Sequence, residues 1–243
     1  MTNKILTLKK YIENSTKIVA LTGAGFSANS GISTFRGAGG LWSKYDPLKY
    51  ADINYFYKDP TYYWSFFRDE RYPCLKNAKP NEGHYALVKL EKKGKIYRVI
   101  TQNIDGLHQI AGQSKVIELH GNTRKIFCNS CKKNYSMQEV YKKIKNEFPP
   151  KCSCGGMLKP GTILFGESLP QNALNSATLA CHICDLFIVL GSSLVVYPAA
   201  ELPQIAKGNG AKVVIINIDP TPLDKIANLV IHEDVTKILT KLI

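Results

Sequence analysis

The stretch Ala20–Gly37, ALTGAGFSANSGISTFRG, begins like a dinucleotide-binding loop and then departs from one. Residues 18–21 are apolar and predict a buried strand, and Gly23-Ala24-Gly25 with Ala28 completes the fingerprint variant G-x-G-x-x-A. A dehydrogenase would continue with a helix, a second strand and an acidic residue about 20 positions further on. Residues 33–40, STFRGAGG, are instead too rich in glycine to continue a helix. The stretch therefore indicates a dinucleotide site of another kind.

Further apolar, β-branched runs predict buried strands that alternate with helices. Strands are predicted at residues 98–100, 116–119, 186–190 and 213–218, and helical periodicity is present at 84–93 and 173–183. Because this alternation favours a parallel sheet, we predict a Rossmann-like, doubly wound α/β fold. The predicted sheet domain comprises residues 1–35, 84–125 and 158–243, interrupted by an aromatic segment of short helices at 36–83 and a cysteine-containing module at 126–157.

Length and composition limit the class of protein. The 243 residues, 44% of them apolar, are enough for one large domain with a small insertion. No stretch approaches the roughly 20 apolar residues of a membrane span, and the N-terminal segment lacks a signal-peptide apolar block, so we expect a cytoplasmic protein. The net charge of +13 would attract acidic partners, but only 5 of the 32 basic residues are arginine. Since arginine makes most base-specific contacts, nucleic-acid binding is expected to be non-specific at most.

Four of the seven cysteines are spaced as metal ligands. Cys128 and Cys131 form C-x2-C, and after twenty intervening residues Cys152 and Cys154 form C-x-C. Four thiolates on two turns can surround a tetrahedral zinc and leave no open position, so we predict a structural zinc site. A redox-active dithiol is the alternative, but a C-x-C disulfide would close a strained ring. The segment 181–184, CHIC, lies on an apolar helix, and its cysteines are interpreted as small buried residues.

Small or polar residues follow each predicted strand. They are Thr22–Gly25, Thr101–Asp105, His120–Asn122, Gly191–Ser193 and Asn217–Asp219. Ligands of doubly wound sheets bind beyond the carboxyl ends of the strands, so these segments are predicted to line one crevice. An imidazole at that place, His120, can take a proton near neutral pH.

These motifs, in this order, resemble those of the sirtuin family, the NAD-dependent protein deacylases. The resemblance rests on Gly23–Ser27, Thr101–His108, Glu118–Gly121, the four spaced cysteines, Phe165–Glu167, Gly191–Ala200 and Asn217. Within the family, the pattern is similar to that of bacterial and archaeal deacetylases outside the main eukaryotic classes. The resemblance implies that an acyl-lysine protein and NAD are co-substrates and that zinc is structural. The implied products are nicotinamide, free lysine and O-acyl-ADP-ribose.

The resemblance also implies the roles of individual residues. It places His120 and Asn103 in catalysis, with His120 as the base that deprotonates a ribose hydroxyl. The implied NAD-binding residues are Gly23, Ala24, Gly25, Ala28, Phe35, Arg36, Gln102, Asn103, Ile104, Asp105, His120, Gly191, Ser192, Ser193, Asn217, Asp219, Asp234 and Val235. The implied substrate contacts are Phe165, Gly166, Glu167, Val195, Val196 and Phe67, with the peptide added as an extended strand.

The chain departs from the family pattern at two places, the first of which bears on nicotinamide release or loop closure and the second on the acyl group. Sirtuins often have Asp immediately before the Phe-Arg pair, where this chain has Thr34. The following segment resembles the branch that removes succinyl and malonyl groups, which reads the acid with Tyr-x-x-Arg; this chain aligns Phe67 and Glu70 there. Since Phe67 lacks a hydroxyl and Glu70 would repel a carboxylate, acetyl is favoured, although a shifted register would bring Arg68 or Arg71 to the pocket.

Other activities stay open at this point. A desuccinylase, a long-chain deacylase and a mono-ADP-ribosyltransferase would all use the same fold. A zinc-bearing nucleic-acid-binding module and a hydride-transfer dehydrogenase are alternatives from other classes.

Overall fold

The computed structural model describes residues 2–37 and 39–242, in which nine strands form two sheets. The strands are β1 Ile18–Thr22, β2 Ile96–Thr101, β3 Val116–Glu118, β4 Gly121–Cys128, β5 Asn134–Ser136, β6 Leu158–Thr162, β7 Leu186–Leu190, β8 Lys212–Ile216 and β9 Leu229–Ile231. The helices are α1 Thr2–Asn14, α2 Pro47–Tyr50, α3 Ile53–Lys58, α4 Thr61–Phe66, α5 Tyr72–Asn77, α6 Glu82–Lys92, α7 Leu107–Ile110, α8 Met137–Ile144, α9 Gln171–Ile183, α10 Leu202–Gly208 and α11 Val235–Leu239. Across these described ranges, no helix is both long enough and apolar enough to cross a membrane.

Six parallel strands form the main sheet, in the order β3-β2-β1-β7-β8-β9. β1 and β7 are buried along their whole length, and for this reason they are continuous apolar runs in the sequence. β2 and β3 lie on one side of β1 in the sheet, and β7, β8 and β9 lie on the other side. A crevice is expected beyond the carboxyl ends of β1 and β7, where the order reverses. The predicted doubly wound α/β fold is confirmed.

Alternate residues of β1 enter two different cores, one on each face of the sheet. Val19 and Leu21 pack in the core that contains α9 and α10, whereas Ile18 and Ala20 pack in the core that contains α1, α6 and α11. Cys181 is buried in the first core, and this burial raises the pKa of its thiol to about 12. The thiol is therefore protonated and behaves as the small buried residue that the sequence suggested.

The two segments inserted into the sheet domain pack on each other around a third core. The small antiparallel sheet, in the order β5-β4-β6, contributes Ile126 and Leu158, and the short helices of the aromatic segment contribute Trp64 and its neighbouring rings. The short helices expected in this segment are present as α2 to α5. The small sheet spans residues 121–162, beyond both ends of the module predicted at 126–157.

Two short 3-10 turns follow β1 in the place of a dehydrogenase's helix. They cover Ala24–Phe26 and Ala28–Ser30, and Gly31 ends the second turn in the left-handed region at φ 78°. The chain then crosses the crevice as the irregular segment that the glycine-rich sequence indicated.

Candidate active site

A cavity of about 700 Å³ lies at the carboxyl ends of β1, β2, β7 and β8. The predicted site residues that line it are Gly23, Ala24, Gly25, Ala28, Phe35, Arg36, Gln102, Asn103, Ile104, His120, Phe165, Gly166, Glu167, Gly191, Ser192, Ser193, Val196, Asn217, Asp219, Asp234 and Val235. Asp105, Val195 and Phe67 lie outside this lining. The structure therefore brings most of the predicted residues to one crevice, while their individual roles stay predictions.

The glycines after β1 allow two loops to touch. The amide of Gly25 donates to the carbonyl of Gly191 at 2.9 Å, and a Cβ on Gly23 would lie 2.6 Å from that same carbonyl oxygen. Gly191 adopts φ 64°, and a Cβ there would lie 2.4 Å from the nitrogen of Phe26. Because no side chain fits between them, the β1 and β7 loops form a continuous floor of backbone. Such a floor allows a pyrophosphate to approach the main chain closely.

Asn103 and Asp105 are fixed by buried hydrogen bonds beneath the crevice. Asn103 Nδ2 donates to the carbonyl of Gly23 at 2.9 Å and to Ser27 Oγ at 3.1 Å. Ser27 Oγ in turn donates to Asp105 Oδ2 at 2.7 Å, and the amide of Leu107 donates to Asp105 Oδ1 at 2.8 Å. Burial raises the pKa of Asp105, against these hydrogen bonds. Since both amide hydrogens of Asn103 have acceptors in the protein, its Oδ1 is the atom available to a ligand.

His120 is held in the tautomer that a general base requires. Its Nδ1 lies 3.0 Å from the carbonyl oxygen of Gln102, and a carbonyl can only accept, so Nδ1 carries the proton. Burial lowers the pKa of His120 despite this hydrogen bond, which leaves the ring neutral at pH 7. Nε2 therefore keeps an unprotonated lone pair for a proton transfer at the cavity.

Further polar bonds tie together the loops around the rim of the cavity. They are Gln102 Nε2 to Ser192 Oγ at 2.9 Å, Asn29 Nδ2 to Asp234 Oδ2 at 2.9 Å, and Asn217 Nδ2 to the carbonyl of Asp219 at 2.7 Å. Asp234 also caps α11 by accepting from the amide of Lys237 at 3.1 Å. The first two bonds join loops that follow different strands, and the third holds the turn after β8 in shape.

The segment after the glycine loop covers one end of the cavity. Thr34 Oγ1 donates to the carbonyl of Arg36 at 2.9 Å, so the neutral hydroxyl braces the turn from within. The main chain of Thr34 and Phe35 accepts bonds from Leu41 and Trp42, and the Phe35 ring lies 5.0 Å from the Trp42 ring. Phe35 is thereby placed as a half-buried wall of the cavity.

A π-helical turn, Phe67–Arg71, changes which side chains of the aromatic segment reach the cavity. Phe67 is fully buried in the third core and lies outside the cavity lining, and its predicted contact with the acyl group stays a prediction. Glu70 accepts from the hydroxyl of Tyr45 at 2.7 Å and is absent from the lining. Arg71 lines the cavity instead. Arg71 was predicted at the pocket only as an alternative in a shifted register, because a π turn has no reliable sequence signal.

The expected peptide-binding segments are ordered by their neighbours. The backbone of Phe165 exchanges bonds with Ala51 and Ile53, at 2.8 and 2.9 Å. Glu167 Oε2 accepts from Lys159 Nζ at 2.9 Å and from the amide of Leu164 at 2.8 Å, so its carboxylate holds this loop in shape. Opposite, Val195 and Tyr197 are exposed by 45% and 63%.

The four spaced cysteines meet at one point of the small sheet. Their Sγ atoms all lie within 4.8 Å of one another, with Cys128–Cys154 and Cys131–Cys152 both at 3.6 Å. Zinc–thiolate bonds of about 2.3 Å in a tetrahedron place sulfurs at nearly this separation. The donor set therefore fits a structural zinc ion. None of the four residues lines the cavity, so the metal site is separate from the crevice.

The fold and the cavity define an α/β protein with a dinucleotide-type crevice at the switch point of its sheet, joined to a four-cysteine lobe. Comparison with known proteins identifies the family: residues 23–198 match the Sir2 family. The NAD-dependent protein deacetylase of Sulfurisphaera tokodaii is 50% identical over 226 residues, covering 93% of this chain and 89% of that protein. The chain belongs to the Sir2 family.

Other relatives agree in sequence and in structure. The NAD-dependent protein deacetylase of Thermotoga maritima is 46% identical over 236 residues, covering 96% of this chain and 95% of that protein. A solved structure of a Sir2 protein with a p53 peptide and NAD+ is similar at a TM-score of 0.90 and 45% identity, covering 97% of this chain and 95% of that chain.

Proposed function

We propose that this protein is an NAD-dependent protein lysine deacetylase that transfers the acetyl group to ADP-ribose. The observation that carries the proposal is His120, a neutral imidazole with a free Nε2 in the same cavity as the glycine loops of β1 and β7. The relatives named as NAD-dependent protein deacetylases, at about half sequence identity, support it.

The proposed reaction balances without an oxidant or reductant. The acetyl oxygen of the substrate lysine bonds to the anomeric carbon of NAD as the bond to nicotinamide breaks, and nicotinamide leaves with the electron pair. His120 Nε2 takes the proton of a ribose hydroxyl, and that oxygen attacks the acetyl carbon. One water is consumed as the lysine amine leaves, so the acetyl group ends as an ester on ADP-ribose.

In this proposal, the surrounding residues bind NAD and the peptide and shield the reacting carbon from water. The Gly23–Gly25 and Gly191–Ser193 loops hold the pyrophosphate, Gln102 and Asn103 Oδ1 accept from ribose hydroxyls, and Arg36 supplies a cation beside them. Phe35 excludes water from the reacting carbon. Asp105 acts with the Ile104 backbone at the nicotinamide amide, and Asn217, Asp219, Asp234 and Val235 hold the adenosine end. An acyl-lysine peptide enters between Phe165–Glu167 and Val195–Val196.

Zinc at the four cysteines has a structural role in the proposal, because the closed thiolate set leaves no position for a substrate.

We assign residues 1–35, 84–125 and 158–243 to the NAD-binding domain, 36–83 to a helical insertion and 126–157 to the zinc module. A cytoplasmic location is part of the proposal, since a reducing compartment keeps the four thiols available to the metal.

Replacing His120 by Ala tests the proposed function. Loss of a general base lowers kcat by about 100-fold or more, measured as acetyl-lysine peptide turnover with NAD by mass spectrometry. His182→Ala is the matched control, because His182 is exposed on α9 and bonds only Asn209 among the described residues. Full turnover by the His120 variant would contradict the proposal.

The same assay separates the other activities. A deacylase releases nicotinamide only in the presence of an acyl-lysine peptide, whereas a mono-ADP-ribosyltransferase labels protein with ADP-ribose. A dehydrogenase would produce reduced nicotinamide absorbance, and a nucleic-acid-binding module would form a salt-sensitive complex without NAD.

A further inference from the structure

Two main-chain carbonyls after β2 are held by a strand of the other sheet. β2 ends at Thr101, and the carbonyls of Ile104 and Asp105 lie beyond the last pairing of the main sheet. The amide of Thr123, in β4, donates to the carbonyl of Ile104 at 2.9 Å, and Arg124 Nε donates to that of Asp105 at 2.6 Å. The position of these two carbonyls therefore depends on β4.

Arg124 joins three parts of the molecule at this point. Its Nη2 also donates to the carbonyl of Leu75, in the last turn of α5, at 3.1 Å. Its main-chain amide donates to Asn122 Oδ1 at 2.9 Å, and Asn122 Nδ2 donates to Glu118 Oε1 at 2.7 Å. Hydrogen bonds from a charged donor are stronger than those between neutral groups. One half-buried guanidinium thus links the small sheet, the helical insertion and the loop after β2.

Gly106, the next residue of this loop, lies in close contact with β4. It adopts φ 70°, and a Cβ there would lie 3.1 Å from Asn122 Nδ2 and 3.4 Å from Arg124 Cδ. The loop and the strand therefore touch with no side chain between them. Because of this contact, a change in the Arg124 side chain moves or releases the main chain of Asp105.

The loop that Arg124 holds carries the two residues that the proposed function assigns to the nicotinamide amide. Ile104 lines the cavity, whereas Asp105 is buried beneath it and Arg124 lies outside the lining. An amide has both donor and acceptor atoms, so it binds well only where partners of both kinds are correctly placed. Burial raises the pKa of Asp105, and the charge of Arg124 opposes that rise and favours the carboxylate. Arg124 therefore acts on both the position and the charge of this loop.

Resting on the proposed deacylase function, we propose that Arg124 is a positioning residue that holds the Ile104–Asp105 segment in the shape that binds nicotinamide. In the proposed function, the free product is bound by this segment, whereas NAD is also held by the glycine loops of β1 and β7. The peptide enters elsewhere, between Phe165–Glu167 and Val195–Val196. Loss of the Arg124 bonds should therefore weaken inhibition by the product nicotinamide more than it weakens binding of NAD or of the peptide.

The test measures how added nicotinamide inhibits turnover of an acetyl-lysine peptide by the intact protein with NAD. Arg124→Met should raise the nicotinamide concentration that gives half-inhibition by about 10-fold, the effect of losing a hydrogen bond from a charged group. KM for the acetyl-lysine peptide should be unchanged. A merely structural role of Arg124 would instead raise both values together.

Arg98→Met is the matched control. Arg98 Nη1 also donates to a main-chain carbonyl, that of Tyr97 at 2.8 Å, but this bond is local to β2 and lies outside the cavity lining. The control should keep wild-type inhibition by nicotinamide. Arg124→Gln is a second variant, whose neutral side chain is too short to reach both carbonyls but stays polar at a half-buried position. It carries the same expectation, so the test needs only one of the two Arg124 variants to fold.

The outcomes separate this proposal from the proposed function. Wild-type inhibition by nicotinamide in a folded Arg124 variant would overturn the role of Arg124 and leave the deacetylase function standing. Wild-type turnover that nicotinamide does not inhibit would do the same, and so would an equal rise in the half-inhibition concentration and in KM for the peptide. Absence of acetyl-lysine turnover by the wild-type protein would overturn both proposals.

Discussion

At the scale of single residues, Gly191 is a position where an added methyl group would disturb the floor of the cavity. It combines φ 64° with a Cβ position 2.4 Å from the nitrogen of Phe26, so substitution both strains the backbone and separates the β1 and β7 loops. We expect Gly191→Ala to lower kcat/KM for NAD by about 100-fold, since small displacements in a site have effects of that size. Initial rates at varied NAD concentration measure this.

Gly94→Ala is the control that separates the effect of backbone strain from the effect of the contact between the β1 and β7 loops. Gly94 has a similar φ of 73°, but a Cβ there would meet nothing within 4 Å. Gly94→Ala should cost about 1 kcal/mol of unfolding free energy through strain alone, with kcat/KM unchanged. Equal kinetic effects of the two substitutions would refute the importance of the loop contact.

Residue types with distinctive chemistry were the ones that sequence could locate. His120 and the four cysteines stand out because few side chains transfer protons or bind zinc, and strand ends or spacing brought them together. Phe67 and Arg71 could not be placed, since a single extra residue in a helix moves every later side chain around its axis. That rotation is decided by tertiary packing of the aromatic rings.

At the scale of structural elements, the cysteine lobe supports the wall of the cavity. Its strands β4 and β6 share the third core with the helices that carry Tyr63 and Phe66. We expect Cys128→Ser to abolish stoichiometric zinc, measured by elemental analysis, and to lower both the melting temperature and deacetylation. The activity is expected to fall because the core behind the wall loosens, although the four cysteines lie outside the cavity lining.

Cys74→Ser is the comparison for that variant. Cys74 lies outside the four-cysteine cluster and bonds the carbonyl of Gly31 at 3.2 Å, an acceptor that a serine hydroxyl can also reach. It should retain zinc and activity. Zinc retained in full by Cys128→Ser would show that the cluster is not the metal site.

Strands with both faces buried could be predicted from the sequence, whereas strands that form only beside a neighbouring strand could not. β1, β7 and β8 are continuous apolar runs, and sequence located each within two residues. β6, LKPGT, contains proline and glycine, and β9 has only three residues. Such segments become strands because a neighbouring strand is already in place, which a local pattern does not record.

At the scale of the whole molecule, two buried histidines make folding sensitive to acid. His84 and His108 lie 4.9 Å apart and both contact the Phe26 ring, at 4.7 and 5.2 Å. Burial lowers the pKa of His84 to about 4, and burial together with the charge of His84 lowers the pKa of His108 well below 6.5. Both rings are therefore neutral in the folded protein at pH values where the unfolded chain binds protons.

The free energy of unfolding should consequently be highest above pH 6.5 and fall as the pH drops from 6.5 towards 4. The slope is about 1.4 kcal/mol per pH unit for each histidine, because the unfolded state binds the additional proton. Urea denaturation at a series of pH values measures it. His84→Gln should reduce the slope by about one proton, and a flat profile for the unmutated protein would contradict the role of the two histidines.

The hydrogen bond from His120 to residue 102 has a consequence for how the enzyme tolerates mutation. The acceptor is a main-chain carbonyl, which every amino acid carries at that position. Substitution of the Gln102 side chain can weaken its bond to Ser192, yet it leaves the tautomer of the imidazole in place. The carbonyl that keeps the proton on Nδ1, and so leaves Nε2 unprotonated, is therefore positioned by the main chain after β2. No substitution of the residue 102 side chain removes it.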